Sequence, residues 1–380
     1  MDAADIDFQE REQNIVEEDG MAVELAVLSV IAARLAMIDE KTTYATVRAW
    51  QVEDMATISR ILSAGAKMIS GRSDMIIEKM GESSDEWAKP FFNARGIEQR
   101  SVFDDEFAAA AMDAGKAKNA KNVASMCRTS VIGLVAPDGS VNRISETYQK
   151  LMDSAIRTIM RSEEDYNSAI ERAVRKLSKG GLRVRYTSGA TRELYSAVSM
   201  NVMDGFRLTM QDVRDQQAQR FGADGVEVSA HGMCAEDHLP YQGRQYTKSE
   251  FERIQKKLER PIGEGMNCRH MVTGVVLGVS SNAYSEKQRR QMARESRRKT
   301  GVETADGHDM TAYEFTQWQR RQETDIRKLK AQARVHEKAG LDPREFEAEA
   351  ERKMKQYVEL SNKAGVETRM KRTKVYEWKL

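Results

Sequence analysis

The sequence predicts an α+β protein, mainly helical, with a small central mixed α/β domain between helical N- and C-terminal arms. Three observations carry this. Apolar residues recur at three-to-four spacing on both sides of the centre, which is the helical period. Between residues 182 and 279 short alternating or β-branched runs appear, the strand signature. The composition agrees: with 31% charged residues, 7% aromatics and five prolines in 380 residues, the chain suits an extended helical protein better than a compact β-fold.

Four regions follow in order. Residues 1–20 read as an acidic tail, carrying Asp2, Asp5, Asp7, Glu10, Glu12, Glu17, Glu18 and Asp19 against Arg11. The overall formal charge of +1 hides this asymmetry and argues against a protein defined by bulk nucleic-acid affinity. Residues 21–181 form a helical N-terminal domain. Its first apolar run, 21–38, holds Val23, Val27, Val30, Ile31 and Leu35 on helical spacing, but Glu24 and Arg34 interrupt it. We read it as a helix buried by protein partners, not by lipid. Thr42 or Thr43 caps the next helix, through Val47 and Trp50. Breaks are expected at Gly65, Gly71, Gly81, Pro90, Gly96 and a turn at 137–139. One long helix, 151–177, closes the domain at Gly180 and Gly181.

Residues 182–285 form the α+β domain. Its strands are expected at 182–186, 225–229 and 272–279. Its helix is 193–220, with Val198, Val202, Phe206, Met210 and Val213 on one face. Residues 286–380 form a charged helical arm. It opens with a basic segment (Arg289, Arg290, Arg294, Arg297, Arg298, Lys299) and continues as helices over 311–339 and 342–364, the second starting at Asp342-Pro343.

Side chains able to do chemistry concentrate in one window. Three of the five histidines and two of the three cysteines lie between 231 and 270. Three cysteines cannot make a closed disulfide framework, so a reducing compartment is expected, and the acidic N-terminus lacks the basic region of a signal peptide. Cys268 and His270 are two apart and point to one side of an extended strand. His231 and His238 join them if the intervening residues form a loop. His231, His238, Cys268 and His270 are therefore the candidate ligands of a structural zinc ion. The spacing leaves open whether Cys234 or His231 completes the set.

A metal-free hydrogen-bonded network is the plainer account of the same residues. His238 has Asp237 and Gln242 nearby, and Cys268 serves as a small core residue. Arg269 would lock the loop through Asp237 or Glu264. A catalytic reading takes Cys268 as nucleophile and His238 as base, oriented by Asp237 or Asn267, or a zinc ion with Glu236 as general base. None of these has a distinctive spacing, and no phosphate-binding or dinucleotide loop is present. The expectation is a protein that is not an enzyme.

The phrases VRYTSGATR at 184–192, VEVSAH at 226–231, DHLPYQGRQY at 237–246 and GMNCRH at 265–270 resemble the phage minor capsid protein 2 family. That family is related to Mu F-type head morphogenesis proteins. YATVRAWQ at 44–51 resembles its tryptophan-containing helix. The chain departs from the pattern at Cys234, two positions after Gly232. The resemblance implies a Mu F-like domain at 182–285 and a minor capsid protein inside the head near the portal, made in the host cytoplasm during assembly. It further implies a multimeric protein with portal, scaffold or major capsid partners, acting in head assembly or in genome packaging or ejection. The relatives carry Cys and His pairs at similar places, in keeping with a structural zinc. The alternative is a zinc- or cysteine-dependent hydrolase or effector delivered with the genome; the blandest is a helical interaction module. Phage DNA is a candidate partner for the basic segment 289–299 and for Lys371, Arg372 and Lys374, although a solvated helix face, helped by Glu286 and Glu295, is the favoured account of the first. Tyr376 and Trp378 read as anchors for a protein partner. No membrane association is expected.

Overall fold

The computed structural model describes residues 3–377 except 137–139, 162–164 and 264–267. The turn expected at 137–139, and Glu264, Gly265, Asn267 and Trp378, therefore lie outside the described residues. Among those described are ten α-helices and nine short strands in three antiparallel sheets, the mainly helical α+β class expected.

The first helix, α1 (Ala3–Leu35), runs straight through the region expected as an acidic tail. Val16, Val23, Val27, Ile31 and Leu35 are fully buried along it. It is thus buried by the chain's own helices, and no described helix is long and apolar enough to cross a membrane. Its acidic residues are held by arginines from distant segments: Arg72 donates to Asp19 at 2.7 Å and Arg327 to Glu17 at 3.2 Å. Composition alone does not reveal those partners.

The next helix, α2 (Tyr44–Arg95), starts at Thr43, whose Oγ1 accepts from the Thr46 N–H at 3.1 Å. It ends at Gly96, whose left-handed φ of 64° closes the helix. The breaks expected at Gly65, Gly71, Gly81 and Pro90 do not occur. A helical glycine costs only about 1 kcal/mol relative to alanine, and here close packing accounts for some of them. A Cβ at Gly65 would come within 2.4 Å of Val23 Cγ2 on α1.

After α3 (Glu106–Met126) come β1 (Ile132–Val135) and β2 (Val141–Arg143), then α4 (Ile144–Met160) and α5 (Tyr166–Gly180). The single helix expected over 151–177 is thus two. Asp165 caps the second by accepting from the Ser168 N–H at 3.1 Å, and α5 packs back on α4. Next are β3 (Leu182–Arg185), β4 (Thr191–Glu193) and α6 (Leu194–Arg220). The first sheet has the order β2-β1-β3-β4, so the boundary expected at 181/182 passes through a sheet. The alternating strand at 182 satisfies its backbone against β1, a short strand whose signal was too weak to read.

Helix α6 lies against α1, α2 and α3. Two reciprocal close approaches fix its contact with α3: Gly115 against Thr209 and Gly205 against Asn119. Asn119 cannot yield, because it is buried and donates to Ser73 Oγ at 2.8 Å.

The second sheet is built from β5 (Gly225–Val228), β6 (Gln245–Thr247) and β7 (Val272–Val275) in the order β6-β5-β7, with α7 (Lys248–Lys257) following β6. The arm comprises α8 (Glu286–Arg297), a hairpin of β8 (Lys299–Glu303) and β9 (Asp309–Thr311), then α9 (Ala312–Lys338) and α10 (Arg344–Ala364). These last two helices match the sequence reading within a few residues. They pack as an antiparallel pair, and α9 also lies on α1 and α5.

A Cβ at Gly205 would sit 1.7 Å from Asn119 Oδ1, so Gly205→Ala should destabilise the fold by about 1–3 kcal/mol. Gly71 has nothing within 4 Å, so Gly71→Ala should be neutral or stabilising by up to about 1 kcal/mol. Urea unfolding midpoints at unchanged slope measure both.

Candidate metal centre

Strand register brings the two halves of the window together. Val228 of β5 pairs with Val272 of β7, so the residues leaving β5 run beside those entering β7. Ser229 N–H donates to Met271 O, and Met271 N–H to Ser229 Oγ, both at 2.9 Å. His231 and His270 then face each other with ring centroids 4.5 Å apart. Met233 between them has φ 55°, the left-handed conformation a non-glycine residue rarely adopts. It turns the chain so that Cys234 is buried, its N–H donating to Ser296 Oγ of α8 at 3.2 Å. One helical turn follows, in which the Gln242 N–H donates to His238 O at 3.2 Å. Four-residue spacing puts His238 and Gln242 on one side of that turn.

The donors fall into two groups that share His270. His238, Cys268 and His270 form one; His231, Cys234 and His270 form the other. The four ligands expected from the sequence are therefore not all in one group, since His231 sits with Cys234.

In the first group Cys268 Sγ lies 3.7 Å from His238 Nδ1 and 3.4 Å from His270 Nδ1. Zinc–sulfur and zinc–nitrogen bonds of about 2.3 and 2.0–2.1 Å, at a tetrahedral angle, put such ligand atoms about 3.5 Å apart. The spacing already fits the ion. The tautomers fit as well. His238 Nε2 is 2.7 Å from Arg260 O, which can only accept, so Nε2 carries the proton and Nδ1 keeps its lone pair. His270 Nε2 is 3.1 Å from Gln242 Oε1, an oxygen that also accepts from the His231 N–H at 3.1 Å. His270 Nδ1 is therefore also free to bind. The second group needs His270 Nε2, which lies 3.6 Å from Cys234 Sγ but is taken by Gln242.

Electrostatics separate the cysteines. Burial pushes the Cys268 thiol up, but its contacts with the His238 ring and the backbone N–H groups of Gly263 and His270 outweigh it, and the net shift is downward. Burial raises Cys234, and then the charge of Cys268 adds to it. Cys127, remote from the window, is pushed up to about 12 by burial. Burial lowers His238 too, yet its bonds to Cys268 and the Arg260 carbonyl raise it on balance. His231 is pushed down to about 4 by burial, and His270 lies well below its ordinary value, through burial and then the charge of His231. The group thus holds one thiolate-prone sulfur and two oriented imidazoles.

Other expected roles fall differently. Asp237 does not orient His238; it forms a fork with Arg260 at 2.7 and 2.8 Å. Glu236 is exposed and paired with Arg297, away from the donors. Arg269 reaches neither Asp237 nor a loop carboxylate described here. It bonds Glu10 of α1 at 3.3 and 3.4 Å. Gln242, expected beside His238, holds His270 Nε2 instead, and the Arg260 carbonyl, which sets the His238 tautomer, went unassigned in the sequence reading.

In the basic segment Arg289 donates to Gly243 O at 3.1 Å and Lys299 to Asp309 O at 2.7 Å, while Arg290 and Arg297 pair with Glu286 and Glu236. Arg372 is buried against Glu323 at 3.3 Å, so it presents no charge to a nucleic acid.

A cavity of about 280 Å³ borders the His238–Cys268–His270 group on the side of α9.

The family model for phage minor capsid protein 2 matches residues 21–359. No curated protein and no solved structure matches the chain.

The buried histidines predict a pH dependence. Between about pH 4 and the ordinary value of 6.5, His231 is neutral in the fold and protonated in the unfolded chain. The unfolded state binds more protons there, so this contribution to stability is complete above 6.5 and is lost as the pH falls. His238 acts with the opposite sign. In chelator-treated protein the wild type should lose about 1–2 kcal/mol more than His231→Gln between pH 7 and pH 5. Denaturation midpoints at the two pH values check this.

Proposed function

The chain belongs to the phage minor capsid protein 2 family, a phage structural protein, and we propose that it is a portal-proximal head protein acting in assembly or in genome packaging and ejection. One observation supports a structural role for the window: three distant parts of the chain meet there. The window itself is joined to Glu10 of α1 through Arg269 and to Ser296 of α8 through Cys234. A zinc ion held by His238, Cys268 and His270 would clamp this joint, adding its binding energy to the fold. Portal, scaffold or major capsid protein are the partners of this reading, in multiple copies within the virion. The role requires no catalysis.

A second reading has one observation in its favour. The donor group borders a cavity, and three protein ligands beside open space is the plan of a catalytic zinc site. The Cys268–His238 contact would equally serve a cysteine-dependent hydrolase.

Protein purified without chelator should carry about one zinc per chain, reduced in Cys268→Ser together with a lower Tm. Elemental analysis finding no zinc in the wild type would remove the metal from the proposal. Cys268→His keeps a zinc ligand but loses the nucleophile. Normal plaque formation by a phage carrying it excludes the cysteine hydrolase, and loss of plaques with zinc retained favours it. A phage with a nonsense codon in this gene should give defective heads by electron microscopy. Purified wild-type particles lacking the protein would overturn the virion reading.

A further inference from the structure

The cavity beside the donor group has a second property that the metal does not explain. Four arginines line it (Arg260, Arg269, Arg320 and Arg369), and among the described residues no carboxylate lines it. They come from the loop after α7, the segment before β7, α9, and the stretch after α10. Arg260 is matched by Asp237. Arg269 and Arg369 share the single carboxylate Glu10, which also has Arg372 at 3.8 Å. Among the described residues no carboxylate pairs with Arg320, and its buried Nε has no hydrogen-bond partner.

The carboxylates behind the cavity do not restore the balance. Glu17 is met by Arg327 at 3.2 Å, and Glu323 by Arg372 at 3.3 Å. Of the arginines lining the cavity, Arg269, Arg320 and Arg369 thus have Glu10 alone as an ion-pair partner among the described carboxylates, an excess of two positive charges. Burial, and then Arg372 and Arg369, hold the Arg320 guanidinium below its ordinary value. Arg269 is pushed down to about 9 by burial and then Arg320. Positive charge gathered in a recess without counter-charge is costly to the fold by itself. Guanidinium groups converging from several elements are the usual means of gripping a tetrahedral oxyanion. At about 30 Å³ per water, a space of about 280 Å³ admits such an anion with several waters.

We propose that this cavity is an oxyanion site, taking a phosphate group through Arg320, Arg269 and Arg369 and so locking the C-terminal arm against α1 and the metal window. The phosphate group could be a free ion or the terminal phosphate of a nucleic acid strand, since both present the same dianion.

Inorganic phosphate titrated calorimetrically into the full chain, with chloride adjusted to constant ionic strength, should bind saturably and raise Tm. Arg320→Gln removes a charge that has no described partner, so it should fold while weakening phosphate binding at least tenfold. Cys268→Ser should still bind phosphate, which separates this site from any anion held by a metal. Short oligonucleotides with and without a 5′-phosphate distinguish the sources: binding only with the terminal phosphate assigns the site to strand ends, and binding of neither to the free ion. Chloride stabilising as well as phosphate, or wild-type protein showing no saturable binding, would overturn the proposal. So would Arg320→Gln binding phosphate as the wild type does. Should Arg320→Gln fail to fold, Arg320→Lys, which retains the charge but not the fork, replaces it and should bind more weakly.

Discussion

The burial of α1 is the constraint on which the other elements depend. Its apolar residues lie in the main core, and its acidic half is also drawn inside. A carboxylate cannot be taken out of water bare. Each of three is therefore met by an arginine brought from elsewhere: Arg72 of α2 on Asp19, Arg269 from before β7 on Glu10, and Arg327 of α9 on Glu17. One helix thereby registers three regions that are far apart in sequence. Pairs of this kind add little net stability, because desolvation offsets most of the attraction. A wrong arrangement, by contrast, strands a buried charge and costs several kcal/mol. Here they serve as selectors of one packing among those the apolar core alone would allow.

The same principle governs the closeness of the helices. Gly20 against Tyr195, Gly65 against Val23 and Gly205 against Asn119 let backbones approach where any Cβ would clash. With those contacts made, α1, α2, α3 and α6 form a packed frame, against which β7 of the second sheet and α9 of the arm also lie. The second sheet then delivers the chemistry. Because β5 and β7 are paired in register, the end of one and the start of the other hold His231, Cys268 and His270 within reach of a single helical turn bearing His238 and Gln242. The tautomers are set by neighbours that accept the ring N–H, a carbonyl and an amide oxygen. That makes the donor group preorganised.

The joint and the arm are coupled. Ser296 of α8 holds the loop that carries Cys234, and Arg369 returns from beyond α10 to the same Glu10 that anchors Arg269.

Much of this was readable in the sequence, and the part that was not has a physical cause. Periodicity located α6, α9 and α10 to within a few residues, and alternating or β-branched runs located β3, β5 and β7, because these patterns are local consequences of which face meets the core. The concentration of histidine and cysteine between 231 and 270 located the window, and the phrases around it located the family. Glycine was misread as punctuation within α2, since its meaning there is set by Val23 across the helix interface and not by its neighbours in sequence. The acidic start was misread as a tail for the same reason: its arginines lie far along the chain, Arg72 from Asp19, Arg327 from Glu17 and Arg369 from Glu10. Side-chain type and spacing thus determined which residues could act as donors. Only the tertiary structure, through strand register and hydrogen bonds between distant segments, decided that His238 and not His231 stands with Cys268 and His270, because ligand geometry depends on distances that a linear order does not contain.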